Sequence, residues 1–219
     1  LEEEVSISID KGIPVAGGMA GGSADAAATL LACDVLWETA TPRDDLLRLA
    51  GELGSDVPFA IVGGTALGSG HGELVTPVMA RGEFWWVVLE SELGLSTAEV
   101  YAAFDAAHTD RPVPDPEIPN ELLSALTRHD LEALGQSLTN DLQPLALRLR
   151  PELATALTLG REESALGVLV SGSGPTCLFL CENRAHAEQV GESLRHHELG
   201  PVSVAPGPVP GARVVAMRH

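Results

Sequence analysis

The residues best suited to chemistry begin with a glycine-rich run, PVAGGMAGGSADAAA, which spans residues 14–28. The apolar periodicity that follows predicts a helix whose start lies inside this run. A helix start leaves several backbone N–H groups unpaired and carries partial positive charge, so a phosphate chain gains hydrogen bonds and dipole stabilisation there. Ser23 adds a hydroxyl that could reach a phosphate oxygen or a bound Mg²⁺. The run lacks the lysine and spacing of a Walker A loop. The alternative is a flexible turn before an alanine-rich, tightly packed helix.

A single aspartate, Asp56, lies on a constrained bend in the segment GSDVPF, residues 54–59. Gly54 is placed to end one helix, and the ring of Pro58 predicts that the helix does not continue. Phosphoryl transfer to an alcohol needs an acceptor for the hydroxyl proton, and a carboxylate suits that role or the orientation of the hydroxyl. The alternative is an ordinary turn in which Asp56 makes an Asx hydrogen bond.

A second glycine-rich turn, SGSGPT at residues 171–176, lies between two predicted apolar strands. A plain β-hairpin with Gly172 and Gly174 in its turn explains this pattern as well as a ligand-binding loop does. The turn therefore carries a functional prediction only together with the other two features.

The elements that must position these residues follow from periodicity and capping signals. Alternation predicts a strand over residues 5–10, and a helix follows the glycine run through Leu36. Thr41 is the predicted N-cap of the next helix, with Pro42 in its first position. The buried stripe of that helix is predicted to be Leu46, Leu49, Ala50 and Leu53. Further strands are predicted at residues 60–62, 65–67 and 84–89.

The second part of the chain alternates helices with short apolar strands. Ser96 and Glu99 have capping-box spacing and predict a helix start. Further helices are predicted at residues 121–127, 131–138, 151–159 and 184–197. Strands are predicted at residues 167–170, 176–181, 202–204 and 214–217. This order predicts an α+β fold whose second domain has an antiparallel sheet, with domains at residues 1–82 and 83–219.

Composition excludes several classes of protein. The 219 residues are 45% apolar and 20% charged, which is typical of a folded globular protein, and no apolar run is long enough to span a bilayer. The opening LEEEVSISID is acidic, so a secretory signal is not expected and the cytoplasm is the expected location. A formal charge of −18 disfavours nucleic-acid binding. Cys33, Cys177 and Cys181 are expected to be small buried hydrophobes, with no disulfide or metal site. The oligomeric state is not readable from the sequence.

The glycine-rich run resembles the second motif of the GHMP kinase superfamily, a proline followed by GLGGGSSDAA or a similar string. The SGSGPT turn resembles the third motif of the same superfamily. Two departures occur: Met19-Ala20 replaces leucine-glycine, which indicates that this position needs no positive φ, and Ala24 replaces a second serine. The resemblance implies a two-domain GHMP kinase fold that uses ATP and Mg²⁺. It implies ATP binding by Pro14, Val15, Ala16, Gly17, Gly18, Met19, Ala20, Gly21, Gly22, Ser23 and Ala24, with Ser23 as the candidate Mg²⁺ ligand.

GSDVPF resembles the GADVPF segment of one branch of that superfamily, and the resemblance implies that Asp56 is the catalytic base. LSTAEVY at residues 95–101 and TNDLQPLA at residues 139–146 resemble the same branch, although Asn140 and Asp141 equally fit a helix end and a turn. The implied substrate contacts are Thr97, Ser173 and Gly174. The expected reaction is phosphorylation of the 2-hydroxyl of 4-diphosphocytidyl-2-C-methyl-D-erythritol in the non-mevalonate pathway. The alternatives are another GHMP kinase, of mevalonate or homoserine type, or a nucleotide-binding protein without catalysis.

The family's first motif, a strand with a lysine and an asparagine, has no counterpart in this sequence. Lys11 is the only early lysine, and it does not match that motif. The resemblance begins partway into the family's first domain, so an incomplete N-terminal domain is expected.

Overall fold

The computed structural model describes residues 5–13, 17–91, 93–109, 113 and 116–215. These residues cluster into two compact units. The first unit comprises the described residues of Leu1–Pro14, Ala20–Val78 and Val209–His219, and the second comprises those of Val15–Met19 and Met79–Pro208. The division at residues 82 and 83 remains a prediction about domain organisation. The predicted fold class, α+β with an antiparallel sheet in the second part of the chain, is confirmed.

The first unit consists of three helices and a hairpin. Helix α1 spans Gly21–Leu36, α2 spans Arg43–Leu53 and α3 spans Val57–Val62. Strands β1 (Ala66–Ser69) and β2 (Leu74–Pro77) pair in antiparallel register. Small side chains at the helix contacts allow the three helices to approach closely. The buried residues at their centre are Ala27, Ala50, Val57 and Ile61.

Several predictions about the first unit are wrong. Residues 5–10 form no strand, because no described strand pairs with them and their alternating pattern has no sheet to satisfy its backbone groups. Residues 60–62 belong to helix α3, which begins directly before Pro58; proline needs no N–H partner in a first helical turn. Thr41 is not the N-cap of α2; that position is occupied by Pro42. Thr41 lies outside the helix, where its backbone N–H donates to Asp34 Oδ1 at 2.9 Å.

The predicted stripe of α2 is partly correct. Leu46 and Ala50 are buried and Leu49 is half-buried, but Leu53 in the last turn is 61% exposed. Cysteine burial is also divided, because Cys177 and Cys181 are buried whereas Cys33 on α1 is half-buried.

The second unit is built on a four-stranded antiparallel sheet, as predicted. Its strands are β3 (Phe84–Leu89), β4 (Gly167–Val170), β5 (Cys177–Cys181) and β6 (Val202–Gly207), in the order β4-β5-β3-β6. In register, Val87 of β3 lies opposite Phe179 of β5 and Val204 of β6. The predicted strand at residues 214–217 is wrong for residues 214 and 215, which lie in no strand, and residues 216 and 217 lie outside the described residues.

Helices cover both faces of this sheet. They are α4 (Thr97–Ala107), α5 (Asn120–Arg128), α6 (Leu131–Ser137), α7 (Gln143–Leu149), α8 (Glu152–Glu162) and α9 (Arg184–His196). Val87 and Phe179 pack in a core with α4, α7, α8 and α9, whereas Phe84 and Leu180 pack with α5 and α6. Two buried faces explain why the β3 sequence is continuously apolar. Among the described residues, no helix combines the length and apolarity needed to cross a membrane.

The predicted start of α4 is confirmed, and one helix was missed. Ser96 is the N-cap of α4 and its side chain accepts the backbone N–H of Glu99. Helix α7 was not predicted from the sequence. Its proline, Pro144, lies in the first turn of the helix, where proline is tolerated.

Candidate active site

The start of α1 presents backbone N–H donors that no described residue accepts. The first intrahelical bond runs from Ala24 N to Ala20 O, at 3.0 Å. The N–H groups of Gly21, Gly22 and Ser23 therefore have no partner in the helix, and no side chain caps it. A Cβ built on Gly22 would meet nothing within 4 Å, so an anion can approach this turn closely. This is the geometry that the glycine-rich run predicts for a phosphate site.

The residue before this helix adopts a left-handed conformation, contrary to prediction. Ala20 has φ 50° and ψ 29°, although its replacement of glycine indicated that no positive φ was needed. The chain reverses here to enter α1, and an alanine in this region costs roughly 1–2 kcal/mol. Strain of this kind is typical of ligand-binding turns held by their surroundings.

The preceding loop residues, Gly17 to Met19, pack in the second unit against the second glycine-rich turn. Ser171 Oγ donates a hydrogen bond to Gly18 O at 2.8 Å. Gly18 has φ 73°, and a Cβ built there would lie 2.6 Å from the carbonyl oxygens of both Ser171 and Gly174. Gly18 and Ser171, which are 153 residues apart in the sequence, thus bring the two glycine-rich loops into direct contact. Pro14, Val15 and Ala16, the other residues predicted to bind ATP, lie outside the described residues.

The second glycine-rich turn is a tight connection between β4 and β5. It is closed by hydrogen bonds from Ser171 N to Thr176 O and from Gly174 N to Ser171 O, both 2.8 Å. Gly172 (φ 53°) and Gly174 (φ 83°) take the left-handed conformations that the turn needs. The turn therefore has the conformation of a plain β-hairpin, as the alternative predicted. A plain hairpin does not account for its contact with Gly18.

The three predicted substrate contacts lie together in the second unit. The hydroxyls of Thr97 and Ser173 are 2.9 Å apart and share a hydrogen bond. Thr97 is the first residue of α4, and Ser173 is only 6% exposed. Gly174 follows Ser173 in the turn. The start of α4 thus fixes the side-chain direction of Ser173.

Asp56 occupies a rigid bend in the first unit. A hydrogen bond from Val57 N to Gly54 O, at 3.1 Å, closes the turn, and the Asp56 carbonyl accepts the N–H of Ala60 at 3.2 Å. Val57 and Pro58 are buried and anchor the bend. The Asp56 side chain does not cap α3, and its carboxylate makes no hydrogen bond with any described residue. The exposed carboxylate is thus available to a ligand, and the alternative of an Asx turn is not what the structure shows.

Two sets of residues near these loops were missed in the sequence. Lys11 and Asp25 form an ion pair that ties the chain before the glycine run to α1. Asn140 donates through its side-chain amide to Val170 O and Gly172 O, on either side of Ser171. Of the two alternatives for Asn140, the turn is correct and the helix end is wrong: α6 ends at Ser137, and Asn140 Oδ1 accepts the backbone N–H of Leu142 at 2.9 Å. The only sequence signal for Asn140 was the TNDLQPLA segment, which fitted a turn equally well.

A divalent cation has little protein coordination available in the described residues. They contain no group of three or more His, Cys, Asp or Glu side chains that could hold a metal ion. Ser23 is half-buried, and its hydroxyl makes no hydrogen bond to a described residue. Mg²⁺ bound to a nucleotide keeps most of its ligands as phosphate oxygens and water, so a single hydroxyl fits such an ion.

Two long stretches of the sequence match models of a known family. Residues 1–64 match the family model described as GHMP kinases N terminal domain, and residues 122–198 match GHMP kinases C terminal. The chain belongs to the GHMP kinase family.

Individual relatives narrow the comparison. The 4-diphosphocytidyl-2-C-methyl-D-erythritol kinase of Thermobifida fusca (strain YX) is 54% identical over 212 residues, which cover 96% of this chain and 68% of the relative. A crystal structure of 4-(cytidine 5'-diphospho)-2C-methyl-D-erythritol kinase matches with TM-score 0.74 and 33% identity, over 90% of this chain and 68% of that one. Homoserine kinase from Cytophaga hutchinsonii ATCC 33406 matches with TM-score 0.73 but 18% identity, over 92% and 69%, and so shares the fold alone.

Proposed function

We propose that this protein transfers the γ-phosphoryl group of ATP to the 2-hydroxyl of 4-diphosphocytidyl-2-C-methyl-D-erythritol, giving ADP and the 2-phosphate. Membership of the GHMP kinase family makes it an ATP-dependent small-molecule kinase. The observation that carries the choice of substrate is the 54% identity, over 96% of the chain, to a kinase of that name. The alternatives of homoserine or mevalonate type are supported by fold alone, at 18% and 20% identity.

The phosphates of ATP bind along residues 14–24 in this proposal. The support is the set of unpaired N–H groups at Gly21, Gly22 and Ser23 and the open space beside Gly22. Together with the helix dipole, these donors favour an anion without a positively charged side chain. That is important in a chain of formal charge −18, which would otherwise repel a nucleotide. Mg²⁺, with Ser23 as a candidate ligand, would supply neutralisation of phosphate charge.

Asp56 accepts the proton of the substrate hydroxyl or orients that hydroxyl for in-line attack. The support is an exposed carboxylate with no hydrogen bond to a described residue, on a bend fixed by two buried neighbours. A base must be held in position to contribute, and general bases typically accelerate reactions by about 10²- to 10⁴-fold. Because two buried neighbours hold the bend, the backbone of Asp56 does not need to be ordered when substrate binds.

Thr97, Ser173 and Gly174 are the proposed substrate contacts in the second unit. The hydrogen bond between the Thr97 and Ser173 hydroxyls leaves each oxygen with lone pairs for a further partner. A pair of hydroxyls matches the hydroxyl-rich acceptor better than an apolar wall would. Replacing Thr97 by valine keeps the shape of the side chain and removes the hydroxyl, so we expect a higher KM for the acceptor.

The test is substrate discrimination by the complete protein. ADP release is measured with Mg-ATP and 4-diphosphocytidyl-2-C-methyl-D-erythritol, mevalonate or homoserine in parallel. Turnover confined to the cytidine compound supports the proposal, and turnover with another alcohol alone assigns the protein to a different GHMP kinase. Nucleotide binding without turnover of any of the three would identify a binding protein instead.

A further inference from the structure

We propose that Asn140 is a positioning residue for nucleotide binding, which acts through the second glycine-rich turn on Gly18. The inference deepens the proposed function and rests on it, because it assumes that the first glycine-rich loop binds the phosphates of ATP. Asn140 lies between α6 and α7 and is half-buried. It contacts the turn rather than the nucleotide, so its effect would be transmitted by hydrogen bonds.

The Asn140 side chain uses its full donor capacity on the turn. Its Nδ2 donates to Val170 O at 2.8 Å and to Gly172 O at 2.7 Å. Its Oδ1 accepts the backbone N–H of Leu142 at 2.9 Å, which fixes which side of the amide faces the turn. An amide has two N–H donors and one carbonyl acceptor, and all three functions have partners here. Aspartate has the same shape but no donor, and it would place an oxygen against the two carbonyl oxygens.

The two carbonyls that Asn140 holds flank Ser171 on both sides. Val170 is held a second time, because its N–H donates to Gln143 Oε1 at 2.8 Å. Gly172 has φ 53°, a conformation with few intrinsic constraints in glycine, so its orientation depends on the bonds made to it. The orientation of Ser171 is therefore set by Asn140, which lies between α6 and α7, and by Gln143, the first residue of α7.

Ser171 also contacts the first glycine-rich loop, so its orientation affects the position of that loop. Its hydroxyl donates to Gly18 O at 2.8 Å. The contact has no free space, since a Cβ on Gly18 would approach the carbonyl oxygens of Ser171 and Gly174 to 2.6 Å. A shift of the turn by a few tenths of an ångström must therefore move the Gly18 peptide or break its hydrogen bond. Gly18 lies within the first glycine-rich loop, so the path of that loop at Gly18 depends on this contact.

A purely structural role for Asn140 makes a different prediction. If Asn140 only stabilises the β4–β5 connection, its replacement lowers stability and leaves the nucleotide affinity of the folded protein unchanged. If it positions Gly18, affinity falls in folded protein, and the effect overlaps with that of removing the Ser171 hydroxyl. A double-mutant cycle separates the two possibilities.

The experiment measures the affinity of the complete protein for a non-hydrolysable ATP analogue by titration calorimetry, well below the melting temperature. The variants are Asn140→Asp, Ser171→Ala and the double variant. Asn120→Asp is the matched control, because it makes the same chemical change at an exposed position at the start of α5. Two lost hydrogen bonds predict affinity weakened about tenfold or more in Asn140→Asp, and one lost bond predicts about threefold or more in Ser171→Ala.

The double variant is expected to bind no more than about twofold more weakly than Asn140→Asp, since both residues act through the same contact. Asn120→Asp is expected to bind like the wild type. Unchanged affinity in folded Asn140→Asp, or effects that multiply fully in the double variant, would overturn the inference. Should Asn140→Asp not fold, Ser171→Ala decides, and unchanged affinity there also overturns it. A wild type that binds no nucleotide would overturn the proposed function itself, which is a distinguishable result.

Discussion

Replacement of Gly18 by alanine tests the contact between the two glycine-rich loops. Gly18 has φ 73°, and a Cβ there would lie 2.6 Å from the carbonyl oxygens of Ser171 and Gly174. A carbon–oxygen contact of this length is not tolerated, so one loop must move by more than half an ångström, as an order-of-magnitude estimate. The movement would also break the hydrogen bond from Ser171 Oγ to Gly18 O.

The size of the effect follows from three free-energy contributions: backbone strain, a lost hydrogen bond and a steric contact. A left-handed alanine costs roughly 1–2 kcal/mol, and the lost hydrogen bond costs about 0.5–1.5 kcal/mol. With a contribution from the steric contact, the total is about 2–4 kcal/mol, shared between the free energy of unfolding and the free energy of ATP binding. Because the loop can relax in the free protein, we expect at least about 1.4 kcal/mol of this to appear as a tenfold or greater loss of ATP affinity.

The assay combines urea denaturation with the KM for ATP and with the affinity for an ATP analogue. Gly64→Ala is a matched control, because Gly64 also has φ 73° but a Cβ there would meet nothing within 4 Å. We expect Gly64→Ala to lose about 1–2 kcal/mol of stability and to keep its ATP affinity. If Gly18→Ala binds ATP as tightly as the wild type does, the contact with the second glycine-rich turn does not determine the conformation of the first glycine-rich loop.

Three further predictions concern residues buried in the second unit. Gly160→Ala should lower the free energy of unfolding, measured by urea denaturation, by about 1–2 kcal/mol, because the added Cβ would lie 2.1 Å from the Phe179 ring. Alanine has the higher helix propensity, so a higher free energy of unfolding would show that this packing is not tight. Burial raises the pKa of Cys177 to about 12 and that of Cys181 to about 11, so a thiol reagent at pH 8 should modify only Cys33 in the native protein and all three cysteines in denaturant. In the folded protein the two buried thiols keep their protons, whereas in the unfolded protein they lose them near pH 9. The urea midpoint should therefore decrease as the pH rises above about 9. This decrease should be smaller in a variant with Cys177 and Cys181 replaced by alanine.

The parts of the fold that local signals specify were predictable. The aromatic and β-branched residues of β3 favour a strand at Phe84–Leu89, and the Ser96–Glu99 spacing specifies the start of α4 through a bond made within one turn. The glycine run was predictable for the same reason, since small residues and a following helix together define a turn with unpaired N–H groups.

What could not be predicted depends on contacts between distant segments. The apolar residues 60–62 fit a short strand or a short helix equally, and only packing of α3 on α1 and α2 selects the helix. The left-handed conformation of Ala20 reflects the path of the chain into α1 rather than the preference of alanine. Asn140 acquires its role from carbonyls 30 and 32 residues away, which no local pattern contains.

The most direct test of the central claim is the activity of the Asp56→Asn variant of the complete protein. ADP release with Mg-ATP and 4-diphosphocytidyl-2-C-methyl-D-erythritol is compared with that of the wild type and of Asp44→Asn, an exposed aspartate in the first turn of α2. Asparagine keeps the shape of the side chain but accepts no proton at neutral pH, so we expect kcat to fall by about 10²-fold or more while ATP affinity is retained and Asp44→Asn stays active. Undiminished turnover in Asp56→Asn would remove Asp56 from the mechanism and contradict the account.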